Sequence, residues 1–240
     1  MKYILSLIIW IMCLNYAHGQ NNFIVRLLGT QNYYSFNDLK EIQTEYHLNL
    51  KTKYGLNSTI TENFPSFYGY QLQFLVNSTI LGIDNFYLGV FSEFSSSGSR
   101  LYYGDYTGEI RFDQILTNIS VGPYFDKTIK LSDCFYIDIG LKIPITFSNL
   151  EMRTSRRILE NNNSEENNYD NILIGAEPIL ILSYKFDSYL IGLTTAYLHV
   201  LPSSFTSESD PTIYLYNENG DEVSAGTNGF KIGILFGYNF

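Results

Sequence analysis

Hydrophobic and polar residues alternate with a period of two along most of this chain, most cleanly between residues 135 and 147. There Phe135, Ile137, Ile139, Leu141, Ile143, Ile145 and Phe147 share one face, while Tyr136, Asp138, Gly140, Lys142, Pro144 and Thr146 share the other. Successive side chains of a strand point to opposite faces, so the segment reads as a strand with one apolar face that begins and ends on Phe. The segment before it, Gln114 to Phe125, repeats this polarity with Ile115, Thr117, Ile119, Val121, Pro123 and Phe125 on the apolar side. Ile172 to Phe186 and Tyr189 to Leu198 follow, joined through Asp187-Ser188 as a tight hairpin. Upstream, Tyr68 to Val76 and Phe86 to Val90 alternate in the same way. The last eleven residues set Phe230, Ile232, Ile234, Phe236, Tyr238 and Phe240 against Lys231, Gly233, Leu235, Gly237 and Asn239. These seven segments are each close to the roughly 9 to 11 residues that a tilted strand needs to cross a bilayer.

The closing segment, with its aromatic carboxy-terminal residue, resembles the last strand of bacterial outer-membrane β-barrels. From Phe23 to Phe240 the chain is similar to small barrels of the OmpA/OmpX-like or PorT-like kind, in the Asn-, Tyr- and Ile-rich style of Bacteroidetes. The resemblance implies a bacterial outer-membrane location, and that Phe236, Tyr238 and Phe240 form a signal read by the barrel-assembly machinery. In such barrels short turns are periplasmic, long loops are extracellular and the strand count is even. Short links fall at residues 77–85, 126–133 and 187–188, and long polar links at 95–113, 148–170 and 202–228. With Phe240 periplasmic, an eighth strand must precede the one that starts near Phe67. Phe23 to Leu28 is the candidate, with Phe23, Val25 and Leu27 toward lipid and Arg26 inward. The expected fold is therefore all-β, a closed antiparallel transmembrane β-barrel of about eight strands.

The first external loop begins Ser35-Phe36-Asn37-Asp38, a Ser-x-x-Asp spacing that caps helices. Phe36, Leu39, Ile42 and Tyr46 follow at helical spacing and predict a short amphipathic helix over about residues 36 to 48, either a lid on the barrel rim or a partner-binding helix. Residues 95–108 read as strands extended above the membrane with a Gly/Ser bend. Residues 151–170, rich in Asn and Glu, read as low-complexity and mobile. Thr212 to Gly220 suggests an external hairpin.

Composition narrows the picture. Aromatic residues make up 16% of the chain, with 21 Tyr and 17 Phe against one Trp, as interfacial girdles require. A net charge of −9 with no basic cluster larger than Arg156-Arg157 argues against a nucleic-acid partner. Met1-Lys2, an apolar run from Tyr3 to Tyr16 and Ala17-His18-Gly19 read as a signal peptide over residues 1–19, leaving 20–240 as the barrel domain. An uncleaved anchor is the alternative, although the run is shorter than the roughly 20 residues a spanning helix needs. Cys13 follows Trp10-Ile11-Met12 and does not form a lipobox, and Cys134 then stands alone, so no internal disulfide is expected.

The inward parity collects Arg26, Glu93, Asp138, Lys142, Glu177, Lys185 and Lys231 in the lumen. An eight-stranded barrel is just wide enough to be filled by side chains, so these groups are expected to pair with one another; a proton or ion path is the other reading. Enzymatic chemistry has little to work with. Small-barrel lipid A deacylases use a lipid-facing His with a Ser two positions on, but position 201 after His199 is Leu, and the nearest hydroxyls are Ser203 and Ser204. His47 falls in the helix. Catalytic residues are not assigned, and with no Cys/His cluster, phosphate loop or calcium loop, neither metal nor cofactor is expected. The favoured reading is a porin-like but non-enzymatic integral outer-membrane protein. Its partners are outer-membrane lipid, the assembly machinery and an unidentified extracellular ligand, and its loops serve recognition, adhesion or envelope integrity. The alternatives are a lipid A or phospholipid hydrolase and a secreted lipocalin-like binder with the parity inverted.

Overall fold

The computed structural model describes residues 23–78, 84–106, 108–158 and 161–240. The expected leader with its cleavage before Gln20, and Cys13 within it, lie outside these residues. In chain order the elements are β1 Phe23–Tyr34, α1 Asn37–Tyr54, β2 Thr59–Asn63, β3 Phe67–Asn77, β4 Phe86–Asp105 and β5 Gly108–Lys130. They continue with β6 Phe135–Lys142, β7 Ile145–Ile158, β8 Asn161–Phe186, β9 Tyr189–Val200, β10 Thr206–Ser207 and β11 Gly229–Asn239. Among the described residues no helix is long and apolar enough to cross a membrane, and the crossing is made by strands.

Antiparallel pairing runs β1, β3, β4, β5, then β6 with β7, then β8, β9 and β11, and returns to β1, where Phe240 N donates to Phe23 O at 2.8 Å. This is a closed ring of eight strands, since β6 and β7 together make one. The segment that alternation presents as a single strand breaks at Ile143-Pro144, because proline has no N–H for the ladder. The neighbours hold the break: Ile143 N donates to Pro123 O and Gly175 N to Pro144 O. Closure also fixes the stagger. From Asn239 the partners run through Ile24, Leu75, Gly89, Tyr124, Lys142 and Glu177 to Leu198 and Gly229, ten residues from the start. Ten residues of stagger over eight strands correspond to a tilt of about 40° and a backbone radius of about 8 Å.

Apolar rows face outward and polar rows inward, so the lipocalin-like inversion is not adopted. Leu27, Ile119, Ile139, Ile174, Leu182, Leu193, Ile232 and Ile234 are exposed on the outside, whereas Thr30, Asn32, Gln71, Gln73, Asn118, Ser120 and Thr194 are buried inside. Two aromatic rings bound the outer belt. The lower contains Phe23, Phe135, Tyr184, Phe186, Tyr189, Tyr238 and Phe240, and the upper Tyr33, Tyr68, Tyr70, Phe94, Phe147, Tyr197 and Phe230. From Phe230 to Phe240, at about 3.3 Å per residue and 40° tilt, the belt is about 25 Å tall, matching the apolar band of transmembrane barrels.

Short turns and Phe240 lie at the lower end. At the upper end the strands outrun the belt: β4 and β5 stay paired to Asp105↔Gly108, and β7 and β8 to Ile158↔Asn161. Within residues 151–170, expected to be low-complexity and mobile, 151–158 and 161–170 pair as the two strands of this second extension, with Glu151↔Asn168 and Arg153↔Glu166 in register. The expected Gly/Ser bend is also absent, since β4 continues through Ser95 to Arg100 as one strand. Ladder pairing with a neighbouring strand outweighs the weak intrinsic preferences of Asn, Ser and Gly.

The helix is longer than the expected 36 to 48, and its start differs. Phe36 occupies the N-cap in a left-handed conformation without a side-chain cap, so the expected capping pattern does not form. Ser35 Oγ instead donates to Gly226 O, and Asp38 accepts from both Ser224 N and Ser224 Oγ, spending these side chains on the returning loop. The helix ends at Gly55, left-handed at φ 69°, with Leu56 N donating back to Leu50 O, the arrangement glycine favours after a final turn.

Candidate functional site in the lumen and above the belt

The lumen holds two charge clusters at different heights. In the upper one, β6, β8, β11, β4 and β3 each supply one side chain to a closed cycle. Lys142 Nζ donates to Glu177 Oε1 (2.6 Å) and to Gln71 Oε1 (2.9 Å), and Lys231 Nζ to Glu177 Oε2 (2.7 Å) and Glu93 Oε1 (2.6 Å). Gln71 Nε2 reaches Glu93 Oε2 and completes the cycle. Two cations meet two carboxylates, so the cycle is neutral, as burial demands. Lys142 also lies over the rings of Phe91 and Tyr124, and Lys231 over Tyr34.

The lower cluster is built on Arg26 of β1. Its guanidinium donates through Nη1 to Asp126 (2.7 Å) and through Nη2 to Asp138 (2.9 Å), and Thr128 Oγ1 donates to the other oxygen of Asp138. Two glycines make the room. A Cβ at Gly140 would come within 2.5 Å of the Tyr124 ring, which fills the lumen above this cluster, and one at Gly237 would crowd the Arg26 stem at 3.2 Å. Asp126 is the member that sequence reading placed in a turn. Its parity follows directly from Tyr124, and the signal missed was that β5 runs on to Lys130.

The structure thus brings Arg26, Glu93, Asp138, Lys142, Glu177 and Lys231 into two groups rather than one network. Lys185 is inward and half-buried beside Arg26 and Asp138 but makes no ion pair among the described residues. Phe236, Tyr238 and Phe240 project outward into the belt, with Tyr238 against Tyr189 and Phe240 against Phe23.

An apolar plug closes the upper mouth. Inward Leu116, Leu150, Leu173 and Leu198 meet Phe36 and Leu39 at the start of α1, together with Phe64, Phe205, Leu215 and Val223 from the connecting segments. Leu215 N bonds to Phe205 O and Val223 N to Leu215 O, so the expected hairpin of Thr212 to Gly220 folds back as part of the plug. Further along, α1 packs on the inner face of the β4–β5 extension, where Tyr46 stacks on Phe112 at 4.5 Å and Leu50 meets Leu101. The helix is a lid bound to the rim.

Neither histidine is set up as a base. His199 projects outward from β9 and makes no side-chain hydrogen bond among the described residues, while Ser204 Oγ donates to Glu222 instead. His47 Nδ1 lies 2.7 Å from Ser58 Oγ, but that serine is buried and among the described residues the other ring nitrogen has no partner to orient it. The pair ties α1 to the segment before β2. Among the described residues no cluster could hold a metal ion.

On the outward face above the belt, Asp113 joins Arg100 (2.7 Å) and Arg111 (2.6 Å), and Arg153 pairs with Glu151 and Glu166. The hydrogen bond from Arg100 to Asp113 raises the arginine pKa above its ordinary value.

No protein-family model matches the chain, and no curated protein matches it. Among solved structures it is similar to Ail, the attachment invasion locus protein of Yersinia pestis. Its complex with the heparin analogue sucrose octasulfate aligns over 92% of this chain and 99% of that one, at 12% identity and a TM-score of 0.32. A second Ail structure aligns over 92% and 97% at 10% identity and a TM-score of 0.30. At this level of likeness no residue role is carried across.

Proposed function

We propose that the chain is an integral protein of a bacterial outer membrane, non-enzymatic, whose barrel is a closed anchor and whose upper extensions form a recognition or adhesion surface outside the cell. The observation that carries this reading is an apolar belt between two aromatic rings around a lumen filled by paired charges and an apolar plug. Such a barrel crosses a membrane without offering a water path. The lower end, with its short turns, is then periplasmic and the upper end extracellular. Above the belt, β8 over residues 161–167 pairs, among the described residues, only with β7, and its other edge gains partners first at Asn168 and Tyr169. An open strand edge in water is a surface to which another chain adds a strand.

The test is topological and electrical. On intact cells a membrane-impermeant maleimide should label Ser164→Cys and leave Cys134, in the lower turn between β5 and β6, unlabelled. Labelling of Cys134 alone would invert the orientation. In planar bilayers the purified protein should give no sustained channel steps, and a steady conductance would end the closed-anchor reading. Removing residues 155–164 should lower adherence of the cells to protein-coated surfaces while leaving the heat-modifiable gel mobility of the barrel intact.

A further inference from the structure

The outward face of β4 and β5 above the upper aromatic ring carries side chains that neither the lumen nor the lipid belt uses. Arg100 stands opposite Asp113, Tyr102 opposite Arg111 and Gly104 opposite Glu109. Asp113 holds the two guanidiniums side by side through their Nε atoms, and their terminal N–H groups make no hydrogen bond among the described residues. The far end of the Tyr102 side chain occupies the space that a side chain at Gly104 would need, so the bare backbone at 104 makes room for the ring while 41% of the residue stays exposed. Two hollows, of about 420 and 410 Å³, are both lined by Tyr102 and Glu109. The first adds Glu62, Arg100 and Arg111, and the second Asp105, Tyr106 and Arg157.

The charges do not sum to a cationic patch, since three arginines face at least as many carboxylates, which argues against a simple anion. The mixture instead suits a ligand with an apolar ring face and hydroxyls that both donate and accept. Carboxylates accept from hydroxyls, guanidiniums donate to them, and an aromatic ring packs against C–H groups. We infer that this face is a carbohydrate-binding site, with Tyr102 as the platform for a pyranose ring and Arg111 and Glu109 as partners for its hydroxyls. The inference rests on the outer-membrane reading only for the side it faces. Arg100 is six residues beyond Phe94, so the site begins about 15 Å above the upper ring. Both a free glycan and the saccharide of an outer-leaflet glycolipid reach that height.

The experiment uses the barrel refolded in detergent micelles, its closure confirmed by heat-modifiable mobility. Saturation-transfer NMR is run with maltotriose, chitotriose, mannotriose and the lipid-free polysaccharide released from lipopolysaccharide. At least one probe should show transfer to its ring C–H protons. That signal should be lost in Tyr102→Ala and weakened at least tenfold in Gly104→Val and Arg111→Ala, while Tyr216→Ala leaves it unchanged. Response to the released polysaccharide alone assigns a glycolipid source, and response to a trisaccharide assigns a free glycan. No signal from any probe, a signal that survives Tyr102→Ala, or full displacement by inorganic sulfate would each overturn the proposal. Because folding is verified in micelles, these outcomes are separate from any failure of the surface-labelling test.

Discussion

Glu177 is the hinge of the upper lumen cycle, and its replacement by Gln tests whether the interior is as dry as its packing indicates. The carboxylate is 1% exposed and accepts from two ammonium groups, Lys142 at 2.6 Å and Lys231 at 2.7 Å. Gln preserves shape but removes the charge, leaving two buried cations to share Glu93. Breaking a buried pair by removing one partner costs about 3 to 5 kcal/mol. Because Glu177 serves two cations, a loss of about 4 kcal/mol is expected, close to a thousandfold in the folding equilibrium constant. The measurement is urea unfolding in lipid vesicles, followed by heat-modifiable mobility. Adding Lys142→Met to Glu177→Gln removes the surplus cation and should recover at least half of the loss, since Lys231 and Glu93 then remain a matched pair. A loss below about 1 kcal/mol, the range of exposed pairs, would mean that water screens the cycle. The lumen would then be open, and the closed-anchor reading would fail with it.

Other outcomes follow from single contacts. Gly140→Ala puts a methyl within 2.5 Å of the Tyr124 ring and should destabilise by about 1 to 3 kcal/mol in the same titration; no change would show that the ring moves freely. Phe112→Ala removes the stack on Tyr46, so trypsin should cut after Lys51 or Lys53 in folded barrels, and continued protection would show that α1 is held by other contacts. Phe240→Ala should lower the amount of barrel in outer membranes more than the yield of refolding in detergent; equal losses would assign the residue to stability, through Phe23, rather than to assembly. The Asp210 carboxylate is held below its ordinary value of 3.8 by hydrogen bonds from the Thr212 hydroxyl and backbone. A depressed carboxylate contributes while ionised, so amide protection at Thr212 should persist as pH falls through 3.8 and disappear only below it. Loss of protection above 3.8 would contradict the hydrogen bonds.

The period-2 pattern determined most of the barrel. The eighth strand and the choice of lipid-facing side needed the connection lengths and the resemblance to outer-membrane barrels. Which residues form most of the strands and which of them share a face are local properties. Parity carries them from Phe135 to Phe147 or from Phe230 to Phe240 without reference to any distant residue. The inward placement of Arg26, Glu93, Asp138, Lys142, Glu177 and Lys231 was legible for the same reason. Their partners were not. Whether Lys231 meets Glu177 or Asp138 depends on the stagger around the ring, which appears only when all eight registers are set together. The same holds for Asp126, whose pairing with Arg26 spans the lumen. Above the membrane local preference misled. Asn161 to Asn168 has weak strand propensity, yet β7 supplies a ladder for it, and Ser35 has capping chemistry, yet Gly226 takes its hydroxyl. Side-chain alternation is set by the backbone of each strand, whereas pairing, capping and plugging are set by whichever neighbour the closed ring brings within reach.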